Sequence, residues 1–264
     1  MRLYLADCGS KFKSVEKRMI ENGSTEGKMY NGVDILQSFY YCNSYTEKVI
    51  IPNCKSFMLD SGAFTFMTSK KNKQINWIGY IERYADFINR NKLDLFFELD
   101  IDCVVGYEKV LEYREYLEKL TGKKCIPVWH KSRGKEEYIK MCKEYPYVAI
   151  GGIVTKEISK NEYPMLTELI NIAHENGAKV HGLGFTNLKG INQYPFDSVD
   201  STTWTTGNRF GVVFEFTGNT IVGHPRKEGR TIPINETVEA HNFCEWTNLQ
   251  KYLETTEKGS EKCG

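Results

Sequence analysis

The sequence has no apolar run long enough to span a bilayer, and no apolar stretch near its start of the kind a secretion signal needs. Met1-Arg2-Leu3-Tyr4-Leu5-Ala6-Asp7 reads instead as a first strand, so no membrane partner is expected and the location is read as cytoplasmic. Also missing are a CxxC pair and a tight Cys/His group. Cys8, Cys42, Cys54, Cys103, Cys125, Cys142, Cys244 and Cys263 are scattered, which suits reduced, mostly buried thiols and argues against a disulfide framework or a structural metal. Neither a linker nor a low-complexity tract divides the chain, so residues 1–264 are read as one domain. A surplus of charge is absent too: 35 Lys plus Arg stand against 34 Asp plus Glu, so the net charge of +1 neither announces nor excludes a nucleic-acid partner. The basic runs Lys70-Lys71-Asn72-Lys73 and Lys131-Ser132-Arg133-Gly134-Lys135 are read as solvated surface.

What is there is a globular composition, 41% hydrophobic and 26% charged, arranged as short apolar runs separated by helix-length segments. The runs are Leu3 to Ala6, Ser56 to Leu59, Leu95 to Leu99, Ile126 to Trp129, Tyr147 to Ile150, Val180 to Leu183 and Phe196 to Val199. Continuous rather than alternating apolar character is expected of parallel strands covered by helices. The intervening helices are placed at Trp77 to Asn89, Tyr107 to Leu120, Lys135 to Glu144 and Tyr163 to Asn176. An eighth strand is sought in Phe210 to Phe216, which could instead pair with Ile221-Val222-Gly223 as a hairpin. The fold expected is α/β, an irregular (β/α)8 TIM-barrel-like domain. Residues 225–264 form a C-terminal extension packed on it, a loop and then a helix near Val238 to Leu253.

Three runs lead into an aspartate, at Asp60, Asp100 and Asp200. Two more lead into glycines, Gly151-Gly152 and Gly182-Leu183-Gly184, where missing side chains would let a flat substrate approach the backbone. In a barrel these positions belong to the C-terminal mouth, where active sites lie. Each has a plainer reading: Asp-Ser-Gly makes turns and helix caps, and His130 and His181 could be packed imidazoles. Several carboxylates at one mouth suit sugar chemistry, one as nucleophile and another as proton carrier. Asp102 is the more plausible supporting acid, and Trp129, Phe64 or Trp204 could stack on a base or belong to the core.

These motifs in order resemble the tRNA-guanine transglycosylase superfamily, and most nearly the short bacteriophage-type relatives that place 7-deazaguanines in DNA. The resemblance runs through residues 55 to 204. It is carried by Phe57-Met58-Leu59-Asp60-Ser61-Gly62-Ala63-Phe64, Asp94 to Asp100, Ala149-Ile150-Gly151-Gly152-Ile153, His181-Gly182-Leu183-Gly184 and Pro195-Phe196-Asp197-Ser198-Val199-Asp200-Ser201. It implies Asp200 as nucleophile, Asp60 as general acid/base and Asp100 as the group that hydrogen-bonds the base. Gly152 and Ile153 would supply backbone contacts, while His130 falls near a base-contacting Gln and Gly182 in a substrate-lining motif. Asp197 is a competing registration for the nucleophile, because Phe196-Asp197-Ser198 fits the same triplet. The chain departs from the family in Gly62-Ala63, in Trp129-His130, and in lacking the Cys-x-Cys-x-x-Cys and distal His of the zinc subdomain, an absence that favours DNA or another substrate over tRNA.

The expected activity is therefore replacement of guanine in DNA by a free 7-deazaguanine of the preQ0 or preQ1 type, through a covalent aspartyl-glycosyl intermediate and without cofactor or metal. A phage-encoded enzyme would work in the host cytoplasm. The alternatives are base exchange in tRNA, purine nucleoside hydrolysis, or a non-catalytic nucleic-acid-binding subunit. Partners beyond nucleic acid and free base would be a second copy, as a homodimer, or an accessory subunit.

Overall fold

A computed structural model of the chain describes residues 1–7, 11–62, 65, 75–185, 193–226 and 235–260. The fold is α/β and irregularly TIM-barrel-like, with C-terminal helical structure. Eight strands make one sheet: β1 (Arg2–Asp7), β2 (Asp34–Ser38), β3 (Ser56–Asp60), β4 (Leu95–Phe96), β5 (Val128–Trp129), β6 (Tyr147–Ile150), β7 (Lys179–Gly182) and β8 (Ser198–Ser201). Their order is β4-β3-β2-β1-β8-β7-β6-β5. The segments carrying β4 and β5, at the two ends of that order, meet by an isolated parallel bridge, Phe97 to Ile126, rather than by a ladder.

The eighth barrel strand is β2 and not Phe210 to Phe216. That later segment forms β9 (Val212–Phe216), which pairs antiparallel with β10 (Ile221–Pro225) in a separate two-stranded sheet. β2 is hard to see because Asp34, Gln37 and Ser38 break its apolar run, yet all three are buried. Two other strands are displaced from expectation. β4 stops at Phe96, so Asp100 lies beyond the strand, and β8 begins at Ser198, after a turn in which Phe196 N donates to Tyr194 O at 2.8 Å.

The chain divides into two compact units. One comprises Met1–Leu36, Ser44–Ser56 and Gly182–Gly264. Here β1 and β8 pair in parallel, Arg2 opposite Ser198 through Leu5 opposite Ser201. Helix α1 (Lys11–Glu21), unexpected from the sequence, presents Phe12 and Val15 to the core. Phe12 stacks on Trp204 at 5.3 Å and meets Phe243 edge-on at 6.2 Å, while Trp204 Nε1 donates to Ala6 O at 2.9 Å, so Trp204 is a core residue. Phe243 comes from the last helix, which extends well past the expected limits.

The other unit comprises Gln37–Asn43 and Phe57–His181. Its helices are α2 (Trp77–Arg90), α3 (Tyr107–Thr121), α4 (Gly134–Glu144) and α5 (Pro164–Glu175), followed in the first unit by α6 (Asn235–Ser260). α2 starts where Asn76 accepts from Gly79 N at 3.0 Å, and it buries Tyr80, Ile81, Tyr84, Ala85 and Ile88 along one face. α3 is stopped by Gly122 in the left-handed region, φ 67°. Pro164 opens α5, where its missing N–H costs nothing.

Of the six described cysteines only Cys125 and Cys142 are buried; Cys103 and Cys244 are exposed, so burial is not the general rule expected for these thiols. No helix among the described residues is long and apolar enough to cross a membrane.

Candidate functional site

Asp60 closes β3, and its surroundings are pinned by α2. Tyr84 donates to Leu59 O at 3.1 Å and to Phe97 O at 3.0 Å, and Tyr80, one turn earlier, donates to Ser61 O at 2.6 Å. The carbonyls on either side of Asp60 are thereby held, while Asp60 Oδ2 accepts from Gly62 N at 3.0 Å. That tight turn needs Gly62, whose φ is 81° and where a Cβ would come within 2.8 Å of Tyr40 Cβ.

The densest polar arrangement follows β4 and β5. Glu98, fully buried, accepts from Arg114 Nε at 2.6 Å and from Val128 N at 2.7 Å. It thus fastens the two segments where the ladder has dwindled to one bridge. Burial pushes its carboxyl above the ordinary range, although Arg114 and Arg133 pull the other way. Arg133 sits 3.5 Å from Glu98 Oε1, donates to Val128 O, and directs Nε and Nη2 at Asp102 Oδ2, 3.1 and 2.8 Å away. Its Nη2 also reaches Asp100 Oδ1 at 3.3 Å, and its guanidinium lies 4.3 Å from the Tyr107 ring centre.

His130 leaves the end of β5 and lies between two carboxylates. Nε2 is 2.9 and 2.8 Å from Asp100 Oδ1 and Oδ2, and Nδ1 is 3.0 Å from Glu157 Oε2. A neutral imidazole has one N–H, so both contacts are hydrogen bonds only when both nitrogens are protonated. Burial opposes that charge, but the hydrogen bond and charge of Asp100, with help from Glu157, outweigh it and raise the pKa to about 9. Burial likewise works against ionisation of Asp102 and Glu157. Asp102 is nonetheless held low by Arg133, and Glu157 by the Ser132 N–H and His130.

The glycines after β6 serve this arrangement. A Cβ on Gly151 would lie 2.8 Å from His130 Cε1, and one on Gly152, at φ 79°, would lie 2.9 Å from Glu157 Oε2. The space left by the missing side chains is thus filled by His130 and Glu157, rather than held open for a flat molecule. Ile153 is buried beside them in sequence. His181 is fully buried in β7, its ring 5.3 Å from that of Phe97, so it presents no surface to a ligand in this state. Trp129 is also a packing residue: it faces Tyr138 at 5.2 Å and donates to Gly134 O at 2.8 Å. Phe64 and the run Lys70 to Lys73 lie outside the described residues.

In the other unit Asp200 is the penultimate residue of β8, and its Oδ1 accepts from Gly184 N at 2.6 Å. Asp197 precedes β8, where its carbonyl accepts from Arg2 N at 2.8 Å. The two aspartates therefore stand at opposite ends of one strand, roughly 10 Å apart along it. Gly182 lets Phe196 and Phe185 close over the backbone, since a Cβ there would be 3.0 Å from Phe196 Cζ.

Arg133 and Glu157 are the residues the sequence did not reveal. The run around Arg133 is not solvated surface at that position, for the Arg133 side chain is 3% exposed. Asp100, Asp102 and His130 could together offer ligand atoms to a cation, lying within 4.8 Å of one another. Within the chain the three are already engaged, both aspartates by Arg133 and His130 by Asp100 and Glu157.

No family model and no curated protein matches the chain. Its likeness is to solved structures. One is a candidate fructose-1,6-biphosphate aldolase from Coccidioides immitis, at TM-score 0.52 and 12% identity over 96% of this chain and 88% of that one. Another is the carboxyl transferase domain of Rhizobium etli pyruvate carboxylase, at TM-score 0.46 and 11% identity over 97% of this chain and 47% of that one. At such identity the first likeness shows the fold alone.

Proposed function

We propose that the chain is a base-exchange transglycosylase that replaces guanine in DNA with a free 7-deazaguanine. Asp200 attacks the deoxyribose C1′, the C1′–N9 bond breaks, and guanine leaves with a proton from Asp60. The incoming base then gives its N9 proton to Asp60 and attacks C1′, releasing Asp200. Asp100 reads the donor edge of the base.

The observation that carries this reading is the position of Asp200. It lies toward the C-terminal end of a parallel strand, the end at which barrel enzymes do their chemistry, and its carboxylate is oriented by a backbone N–H. Asp197, the rival for the role, lies at the opposite end.

Incubation of the full chain with labelled guanine and either DNA or tRNA tests the activity. Label is expected in DNA. Entry into tRNA alone would change the substrate, release of base without incorporation would indicate a hydrolase, and salt-sensitive DNA binding with neither would indicate a binding subunit. Asp200→Asn should abolish exchange and the covalent adduct, whereas Asp197→Asn should keep both; the reverse pattern would move the nucleophile to Asp197.

A further inference from the structure

His130 sits where a guanine-like base read by Asp100 would have to sit. The imidazole Nε2 lies nearly equidistant from the two carboxylate oxygens, at 2.9 and 2.8 Å, and so straddles them on the side where both present lone pairs. A base with two adjacent N–H donors, such as the N1–H and 2-amino group of guanine or a 7-deazaguanine, would contact both oxygens from that same side, as bidentate donors do. One side of a carboxylate cannot hold both partners.

Of the two cations on Asp100, only one is built to yield. Arg133 is 3% exposed, is committed to Asp102, Glu98 and Val128 O, and lies over Tyr107. His130 is 16% exposed and occupies space that exists because residue 151 is glycine. Its far nitrogen is held by Glu157, which is itself anchored by Ser132 N at 2.8 Å. A ring that let go of Asp100 would thus keep its second carboxylate.

We propose that His130 is a resident occupant of the base-reading edge of Asp100, which a base with paired N–H donors must displace, Glu157 retaining the displaced ring. The inference rests on the reading of Asp100 as the base-recognising carboxylate. Among the described residues, Asp100, Asp102, Glu157 and Arg133 are the charged groups around the ring.

Calorimetric titration of the full chain with 7-deazaguanine tests it. His130→Ala is expected to bind the base more tightly, by about tenfold if the displaced contact is worth about 1.4 kcal/mol. Weaker or unchanged binding would overturn the inference, since a residue that helps hold the base would be missed on removal. Histidine-ring NMR on the unmodified protein gives a second reading. Saturation with base should lower the His130 titration midpoint as Asp100 is withdrawn from it, and an unchanged or raised midpoint would count against displacement. Tighter binding in His130→Ala without label exchange into DNA would leave this inference standing and remove the exchange reading. Exchange with unaltered binding would do the opposite, and no binding to either protein would remove the inference together with the role of Asp100.

Discussion

A histidine between two carboxylates makes stability depend on pH in a defined direction. The folded-state pKa of His130, about 9 against an ordinary 6.5, means that the folded chain holds a proton the unfolded chain has already lost across that interval. The stabilisation is complete below about pH 6.5 and is lost as pH rises to about 9. A shift of that size corresponds to on the order of 3 kcal/mol. Urea unfolding of the protein and of His130→Ala at a series of pH values should show a difference between them that shrinks over this window; a difference independent of pH would mean the ring is not charged in the fold. Asp100 and His130 were legible because each follows an apolar run. Arg133 and Glu157 were not, because an arginine in a basic run and a glutamate in a polar loop resemble solvated residues. Their meaning comes from contacts with strand-end groups about 30 residues away in sequence.

At the scale of elements, α6 shows how polar side chains can be core residues. Gln250 is fully buried; it accepts from Asp34 N at 3.1 Å and donates to Leu3 O at 2.5 Å and to Asp34 O at 3.0 Å, so one amide serves β1 and β2 together. Asn242, one face along the same helix, accepts from Phe214 N at 2.8 Å and donates to Val212 O at 3.2 Å, tying β9 to the helix. Gln250→Ala would leave buried backbone groups on two strands without partners as well as a cavity. The expected loss is roughly 2–4 kcal/mol, read as a lower urea midpoint with an unchanged slope. A loss below about 0.5 kcal/mol would show that the backbone groups find other partners. The same contacts explain which elements the sequence displayed. Helices α2 to α5 have amphipathic faces and end signals of their own, and were located to within a residue or two. β2 was hidden because Asp34, Gln37 and Ser38 interrupt its apolar run while the Asp34 backbone is tied to a helix residue 216 positions away, and α1 because its buried face includes Glu16, which accepts from Gly27 N at 2.5 Å.

For the whole molecule, the stability profile should carry a second acid–base signature, from the unit that holds the chain's beginning and end. Asp34 is fully buried, and neither of its carboxylate oxygens meets a hydrogen-bond donor among the described residues. Arg2 Nε stands off at 3.8 Å, and Lys55 is engaged by Glu254 at 2.6 Å. Burial is the largest influence and raises the Asp34 pKa to about 7, Arg2 and Lys55 opposing it and Glu254 adding to it. Between about pH 4, where an unfolded aspartate ionises, and pH 7, the folded chain therefore binds the extra proton. Stability should fall as pH rises through that range and level off above it. This is opposite to the usual behaviour of paired carboxylates, whose contribution grows over the same range. Asp34→Asn keeps the shape without the charge, and should remove this part of the slope and raise the melting temperature at pH 8. A variant that melts lower at pH 8 and retains the slope would show that Asp34 is ionised and stabilising in the fold, held by Arg2 and Lys55 in spite of its burial.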